Sequence, residues 1–164
     1  MAPMKEIQFI PIGIIHSPFK EPKGTPIQSI AAKGIEGTVE LFQEFAGGLK
    51  DLDGFSHIML IYHFHLSKEP SLKVKPFLDD QIRGVFSTRA PNRPNPIGIS
   101  IVQLIHMEGN ILRVKDLDII DGTPLIDIKP FVAEFDIRDA TKKGWLEKNI
   151  SQLSTLKDDG RFIK

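Results

Sequence analysis

The chain has no cysteine among its 164 residues. That absence excludes disulfides, iron–sulfur clusters, cysteine-ligated zinc and thiol catalysis. It also lacks a long hydrophobic run. The longest unbroken one is Ile58–Tyr62, far short of the ~20 apolar residues a membrane-spanning helix needs. The opening stretch, Met1 to Glu6, meets polar residues before any apolar segment long enough for a signal peptide. Net charge is missing too: lysine plus arginine number 21 and aspartate plus glutamate 21. No overall positive field therefore draws the protein to nucleic acid or membrane, and an RNA partner would have to be met by a local basic patch. Neither G-x-G-x-x-G after a strand nor G-x-x-x-x-G-K-[ST] occurs, so nucleotide binding through those loops is unsupported. With 41% hydrophobic and 26% charged residues, the composition predicts a cytoplasmic globule of about one domain over 1–164, large enough to bury a core unaided.

What is present is mostly strand pattern. Residues 7–16 are rich in isoleucine and predict a strand that ends at Ser17-Pro18, because proline disfavours helix in the residue before it. The polar loop from Lys20 to about Lys33 is too long for an idle connection. A strand from Gly37 to Phe42 and a short helix from Gln43 to Asp51 follow. Phe55 to Leu66 reads with period two, with His57, Met59, Ile61, His63 and His65 on one face and a largely apolar other face. Further strands are expected at Ile82–Ser87, Ile97–Met107, Ile111–Ile120 and Pro124–Phe135, and a C-terminal helix at Trp145–Leu156 from Leu146, Ile150 and Leu153. Short strands with helices confined to one middle piece and one end argue for a mainly β fold, a small barrel or sandwich. The core is expected over about 7–138 and a helical tail over about 141–157.

Three constellations could carry chemistry. Ser87 to Gly98 contains Pro91, Pro94 and Pro96, which fix φ near ~−65° and make a stiff arch holding Arg89, Asn92, Arg93 and Asn95. Three arginines and no acid lie between Ile82 and Gln103, so the arch reads equally as an anion or polar-ligand site and as a surface loop paired with acids elsewhere. Leu117 to Pro130 gathers Asp118, Asp121 and Asp127 around an Asp-Gly turn; these carboxylates could bind a metal, move protons or meet a ribose or ammonium, or simply cap a turn. The histidine row His57, His63, His65 could hold a metal, although a third ligand and supporting partners are required. Packing against a ligand or being satisfied in the core is the plainer reading, and no metal site is assigned.

On these segments the sequence resembles the TsaA-like family, often called the TrmO type. The match is carried by Ile12-Gly13-Ile14-Ile15-His16-Ser17-Pro18, by Phe55-Ser56-His57 with Phe64-His65, by Gly84-Val85-Phe86-Ser87-Thr88-Arg89 running into Arg93-Pro94-Asn95-Pro96-Ile97-Gly98, and by Leu117-Asp118 with Asp121-Gly122-Thr123-Pro124 to Pro130, together about residues 7 to 131. The resemblance implies a small β-barrel that dimerises. It also implies an S-adenosylmethionine-dependent methyltransferase acting on N6-threonylcarbamoyladenosine at position 37 of tRNA, in the anticodon loop. It places the cofactor at Pro26, Ile27 and Gln28, at Phe64, His65 and Leu66, at Thr88 and Arg89, and at Leu117, Asp118, Ile119, Ile120 and Asp121. The family's Pro-Arg-Gln loop here has Ile27 in place of the arginine, and the chain ends at Lys164 without the C-terminal domain of longer members. In such a site Arg89 suits the cofactor's carboxylate, and Asp118 or Asp121 its ammonium or ribose. Asp121, Asp127 and His65 are the expected proton acceptors. Asn92, Arg93, Lys142, Lys143 and Lys148 are expected at RNA phosphates. The alternatives are a cofactor-binding module without turnover and a metal-dependent enzyme built on the histidine row.

Overall fold

Alternate residues of β-branched and leucine-rich stretches turn to one side of a strand, and here those sides meet. In the computed structural model, which describes residues 5–163, the strands are β1 (Gly13–His16), β2 (Glu36–Leu41), β3 (His57–His63), β4 (Lys73–Val74), β5 (Arg83–Gly84), β6 (Ile97–Glu108), β7 (Ile111–Lys115) and β8 (Thr123–Pro130). Six of them close into an antiparallel barrel in the order β1-β2-β7-β6-β3-β8, and β4 and β5 form a separate hairpin. Closure leaves no unpaired sheet edge. The expectation of a mainly β, small-barrel fold is met.

The barrel interior is filled by Ile15, Val39, Ile58, Leu60, Val102, Leu112, Val114 and Leu125, none more than 1% exposed. The faces of β3 follow from this. Ile58, Leu60 and Tyr62 point in, whereas His57, Met59 and Ile61 are half-buried on the outside and His63 is exposed. β6 pairs with β3 from Ile97 to Gln103 and with β7 from Gln103 to Glu108, with a register shift between Leu104 and His106; such a bulge bends a strand from one partner to the next. Two tight turns need glycine in the left-handed region: Gly109 at φ +59 between β6 and β7, and Gly122 at φ +78 before β8. A second, smaller core of Val74, Val85, Ala90 and Phe162, packed with Phe77, ties the hairpin and the proline arch to the end of the chain.

Several boundaries differ from expectation. The C-terminal helix is replaced by two 3-10 turns, Gly144–Lys148 and Ile150–Gln152. Gly144 sits at φ +59, and Ile150 stays 37% exposed, so the apolar stripe has too little to pack on to sustain an α-helix. The segment from Gln43 is likewise 3-10, ending at Leu49 and containing Gly47 and Gly48, which disfavour the α form. Only Gly13–His16 of the first stretch pairs, because Ile7, Phe9 and Ile10 reach no partner strand and stay exposed. Ile82–Ser87 shrinks to the two residues of β5, followed by a 3-10 turn over Val85–Ser87. β8 stops at Pro130, and a four-residue α-helix, α1 (Ala133–Asp136), stands where strand was expected to run on to Phe135. Among the described residues no helix is long and apolar enough to cross a membrane. Most of the Met1 to Glu6 stretch lies outside the described residues.

Gly98 is one of three tight points of the barrel wall, with Gly13 and Gly37. A Cβ there would run into the rings of Tyr62 and Phe64. Gly98→Val is therefore expected to destabilise the protein by about 1–3 kcal/mol, the usual range for overpacking, measured by urea unfolding; a loss within error would show that the two rings can move aside.

Candidate functional site

A cavity of about 290 Å³ lies where five separate segments meet, with Phe77 from between β4 and β5 completing its wall. They are the loop before the first 3-10 turn, the end of β3 with the turn after it, the proline arch with the start of β6, the stretch between β7 and β8, and the end of the chain. Pro26, Ile27, Gln28, Phe64, His65, Leu66, Thr88, Arg89, Asp118, Ile119 and Ile120 all line it. Leu117 lies beneath, fully buried in the barrel core.

The arch is held by its own polar groups. Thr88 Oγ1 donates to Val85 O at 2.8 Å and accepts from Ala90 N at 3.2 Å, and Arg93 Nη1 donates to Thr88 O (3.0 Å) and Ala90 O (3.2 Å). Arg89 is exposed at the rim, and its Nη1 donates to Gln28 Oε1 at 2.9 Å, which joins the arch to the Pro26–Gln28 loop. Prolines and these bonds leave Arg89 on a backbone with little entropy to lose on binding.

Behind the cavity wall, Ser100 Oγ donates to Asp118 Oδ1 at 2.6 Å. A serine hydroxyl has one hydrogen, so Tyr62, the chain's single tyrosine, must donate its hydroxyl hydrogen to Ser100 Oγ across 3.0 Å. Burial pushes the Asp118 carboxyl up to about 6, against the opposing pull of hydrogen bonds from Ser100 and Ser29 and the charge of Arg89. The same burial, helped by the charge of Asp118, raises the Tyr62 phenol well above its ordinary value and keeps it a donor. A carboxyl shifted by desolvation, beside a guanidinium in a cavity, is the pattern of a functional group.

His65 sits in the turn beyond β3, not on the strand. Burial, with the neighbouring charge of His63, pushes its imidazole below the ordinary histidine value and keeps it neutral at pH 7. Thr123 spends its hydroxyl hydrogen on Ile120 O at 2.7 Å, so its 3.4 Å contact with His65 Nδ1 runs from ring to hydroxyl. That leaves the lone pair on Nε2.

These segments are those of a described family. The family model for the tRNA-methyltransferase O N-terminal domain matches residues 14–137. The chain belongs to the TrmO family. A protein of Pyrococcus abyssi named as a probable S-adenosyl-L-methionine-binding protein is 63% identical over 157 residues, covering 96% of this chain and 85% of its own. The tRNA (adenine(37)-N6)-methyltransferase of Escherichia coli is 37% identical over 139 residues, covering 79% of this chain and 59% of the enzyme. A crystal structure of TrmO from Pseudomonas aeruginosa superposes with a TM-score of 0.74 at 35% identity, over 88% of this chain and 63% of that one. The chain thus spans about three-fifths of the length of these last two relatives.

Measured against the expectations for a TrmO-family chain, two carboxylates are elsewhere. Asp121 does not line the cavity: it accepts from Ser17 N at 2.9 Å and Lys20 Nζ at 2.7 Å. The Lys20 hydrogen bond, and then that of Ser17, hold its carboxyl below the usual carboxylate range. It is a turn-fixing group and a poor proton acceptor. Asp127 accepts from its neighbour Ile128 N, pairs with Lys129 at 2.9 Å, and borders a different hollow with Ile12 and Phe45. Neither is placed to act at the cavity. Of the residues expected at RNA, Asn92 is spent inside the fold, donating to Phe162 O at 3.1 Å and accepting from Lys68 N at 3.2 Å. Arg93 lines the cavity, and Lys142, Lys143 and Lys148 are exposed. His57 bonds Ser56 and packs edge-on to Phe131, and no group of three His, Cys, Asp or Glu among the described residues could hold a metal ion.

Sequence reasoning missed Tyr62, Ser100, Phe77, Asp158 and Phe162, all at or behind the cavity. Ser100 was detectable, as the one polar residue on the inward register Gly98, Ser100, Val102 of β6.

The raised Asp118 acidity carries a pH consequence. Between the ordinary carboxylate value and about 6, the folded protein holds a proton that the unfolded chain has released, so this group's contribution to stability falls as pH rises through that window. A shift of roughly two units corresponds to about 3 kcal/mol at most. Asp118→Asn removes this slope. Relative to the natural protein, the variant is expected to gain stability between pH 4 and pH 7, measured by urea unfolding across that range; parallel curves would mean the carboxyl titrates normally.

Proposed function

We propose that this chain binds S-adenosylmethionine in the cavity and transfers its methyl group to N6 of threonylcarbamoyladenosine at position 37 of tRNA. One observation carries this: four segments tied to the cofactor by the family's motifs, far apart in sequence, supply eleven residues to a single cavity. The names of the P. abyssi and E. coli relatives point the same way. The donor set fits such a ligand. A guanidinium and an ionisable carboxyl serve an amino-acid or ribose end, and Tyr62 with Phe64, edge to face at 5.5 Å, and Ile119 form an apolar wall for a flat base.

The bound cofactor supplies a methyl group on a positively charged sulfur. Arg89, preset by Gln28, would hold the cofactor's carboxylate by a charge-assisted hydrogen bond. Asp118, ionised at pH 7, accepts from an ammonium or hydroxyl, with Oδ1 already committed to Ser100. Of the three expected proton acceptors His65 is the one that lines the cavity, and its Nε2 is free to take a proton from the acceptor nitrogen. Positioning supplies most of the acceleration in a displacement of this kind. Arg93 with the exposed Lys142, Lys143 and Lys148 provides the positive surface for the anticodon loop, in the cytoplasm.

Calorimetry with S-adenosylmethionine is expected to show binding, and Arg89→Ala to weaken it about tenfold or more, the range for a lost charge-assisted bond, with little change in melting temperature. Incubation with threonylcarbamoylated tRNA and methyl-labelled cofactor is expected to label the RNA. Binding without label would make the chain a binding module; no binding at millimolar cofactor would remove the reading altogether.

The chain is further proposed to work as a homodimer. The outward face of β6 exposes Ile97, Ile99, Ile101 and Ile105 by 39–49%, and this stripe continues into the cavity through Ile97 and Ile99. An apolar row leading to a ligand site marks a covered surface, here by a second copy. Light scattering at micromolar concentration is expected to give twice the chain mass; a monomer would undo this part.

A further inference from the structure

The end of the chain, outside the matched residues 14–137, is built into the cavity wall. Asp158 exchanges two backbone hydrogen bonds with the Pro22–Gln28 loop: Gly24 N to Asp158 O at 2.7 Å and Asp158 N to Thr25 O at 2.8 Å. Lys157 bridges Pro26 in antiparallel fashion. Beyond the turn at Gly160, Phe162 is 8% exposed, stacks edge-on against Phe77 at 5.1 Å and receives the Asn92 amide on its carbonyl. Arg161 locks the same turn, pairing with Asp159 and donating to Pro76 O at 2.7 Å. The tail is therefore a fixed wall, fastened to both the loop and the arch that carry the expected cofactor residues.

Asp158, Phe162 and Ile163 face the cavity from this wall. Asp158 Oδ1 accepts from Gly160 N at 2.6 Å, and no side-chain cation is bonded to its carboxylate among the described residues. Its neighbour Asp159 takes up Arg161 instead. The motif pair Asp118 and Asp121 led to two carboxylates being expected at the cofactor, and the structure withdraws Asp121 into a turn. The cavity nevertheless has two, Asp118 from the stretch after β7 and Asp158 from the tail, alongside the guanidinium of Arg89.

We propose that Asp158 is the second ligand-binding carboxylate of this site, reading an ammonium or hydroxyl group of the bound molecule through the oxygen that Gly160 leaves free. The inference rests on the cofactor reading above. S-adenosylmethionine carries hydrogen-bond donors on its amino-acid ammonium, its ribose diol and its adenine amino group; the first two are separated and each suits a carboxylate, so a site with one acidic side chain would leave one of those two without such a partner. Asp118 takes one and Asp158 the other. Partial burial, with the charge of Asp159, raises the Asp158 carboxyl above its ordinary value, and a cationic donor would offset that cost.

The test uses the full chain and two measurements. Asp158→Asn keeps the acceptor for Gly160 N and every backbone bond of the tail, so its melting temperature is expected to stay close to that of the natural protein. Its affinity for S-adenosylmethionine by calorimetry is expected to fall about tenfold or more, as for a lost bond between charged groups. On the unmutated protein, coupling of carboxylates to glycine ethyl ester by a carbodiimide, read by mass spectrometry, is expected to slow several-fold at Asp158 when the cofactor is added. Coupling at Asp159 should be unchanged. The carbodiimide measurement decides the matter if the variant misfolds. Undiminished affinity in a folded variant, or equal coupling with and without cofactor while Arg89→Ala abolishes binding, would overturn the role of Asp158 and leave the cofactor reading intact. No binding by the natural protein would overturn both.

Discussion

Everything at the site depends on β6 being shared by two neighbours. Its first half pairs with β3 and its second half with β7, and Gln103 is the residue at which it passes from one to the other. That sharing fixes its register on both sides. A one-residue slip would turn Gly98, Ser100 and Val102 outward and push isoleucines into the barrel. In the observed register Gly98 leaves room for the Tyr62 ring, Tyr62 can reach Ser100, and Ser100 can reach Asp118. The hydrogen-bonded chain to the carboxyl is thus a consequence of strand pairing, and barrel stability and site geometry rest on the same bonds.

The proline arch contributes by a different route. Chain entropy lost on ordering a loop is about 1–2 kcal/mol per residue for the backbone alone, and three prolines have already removed part of it in the unfolded chain. Arg93 then bonds two carbonyls of its own loop, so an arginine that looks from sequence like a ligand contact also acts as an internal brace. Arg89 keeps its charge at the rim, and its one bond to Gln28 sets its direction without neutralising it. Two arginines four residues apart therefore do different work, and the distinction comes from which carbonyls the arch turns towards them.

The barrel was legible because its strands alternate and its turns carry glycine at 109 and 122, both local signals. Helices were over-read for the same reason: Leu146, Ile150 and Leu153 have helical spacing, yet periodicity does not say whether a surface exists for the stripe to cover. At the site, local motifs located the loop, the arch and the stretch after β7. They could not separate Asp118 from Asp121. Those two differ by which long-range partner each meets, Ser100 on β6 for one and Ser17 with Lys20 for the other, and sequence spacing is blind to that. Asp158 was invisible for a stronger version of the same reason, since it is held at the cavity by backbone bonds to a loop more than a hundred residues away.

The placement of Asp118 also shows how the protein divides stability from function. A carboxyl raised to about 6 is ionised at neutral pH in surroundings that disfavour its charge, which costs folding free energy. Were the group there for stability, an asparagine would accept the Ser100 hydrogen bond without that cost. Three acids with the opposite behaviour, Asp79, Asp121 and Asp159, are held below the usual range by Arg83, Lys20 and Arg161 and lie outside the cavity. Favourable charge is placed where it secures turns, and unfavourable charge is kept at the one place where a cationic or hydroxyl-bearing ligand can offset it. That asymmetry is what a ligand site built into an otherwise well-satisfied barrel should look like.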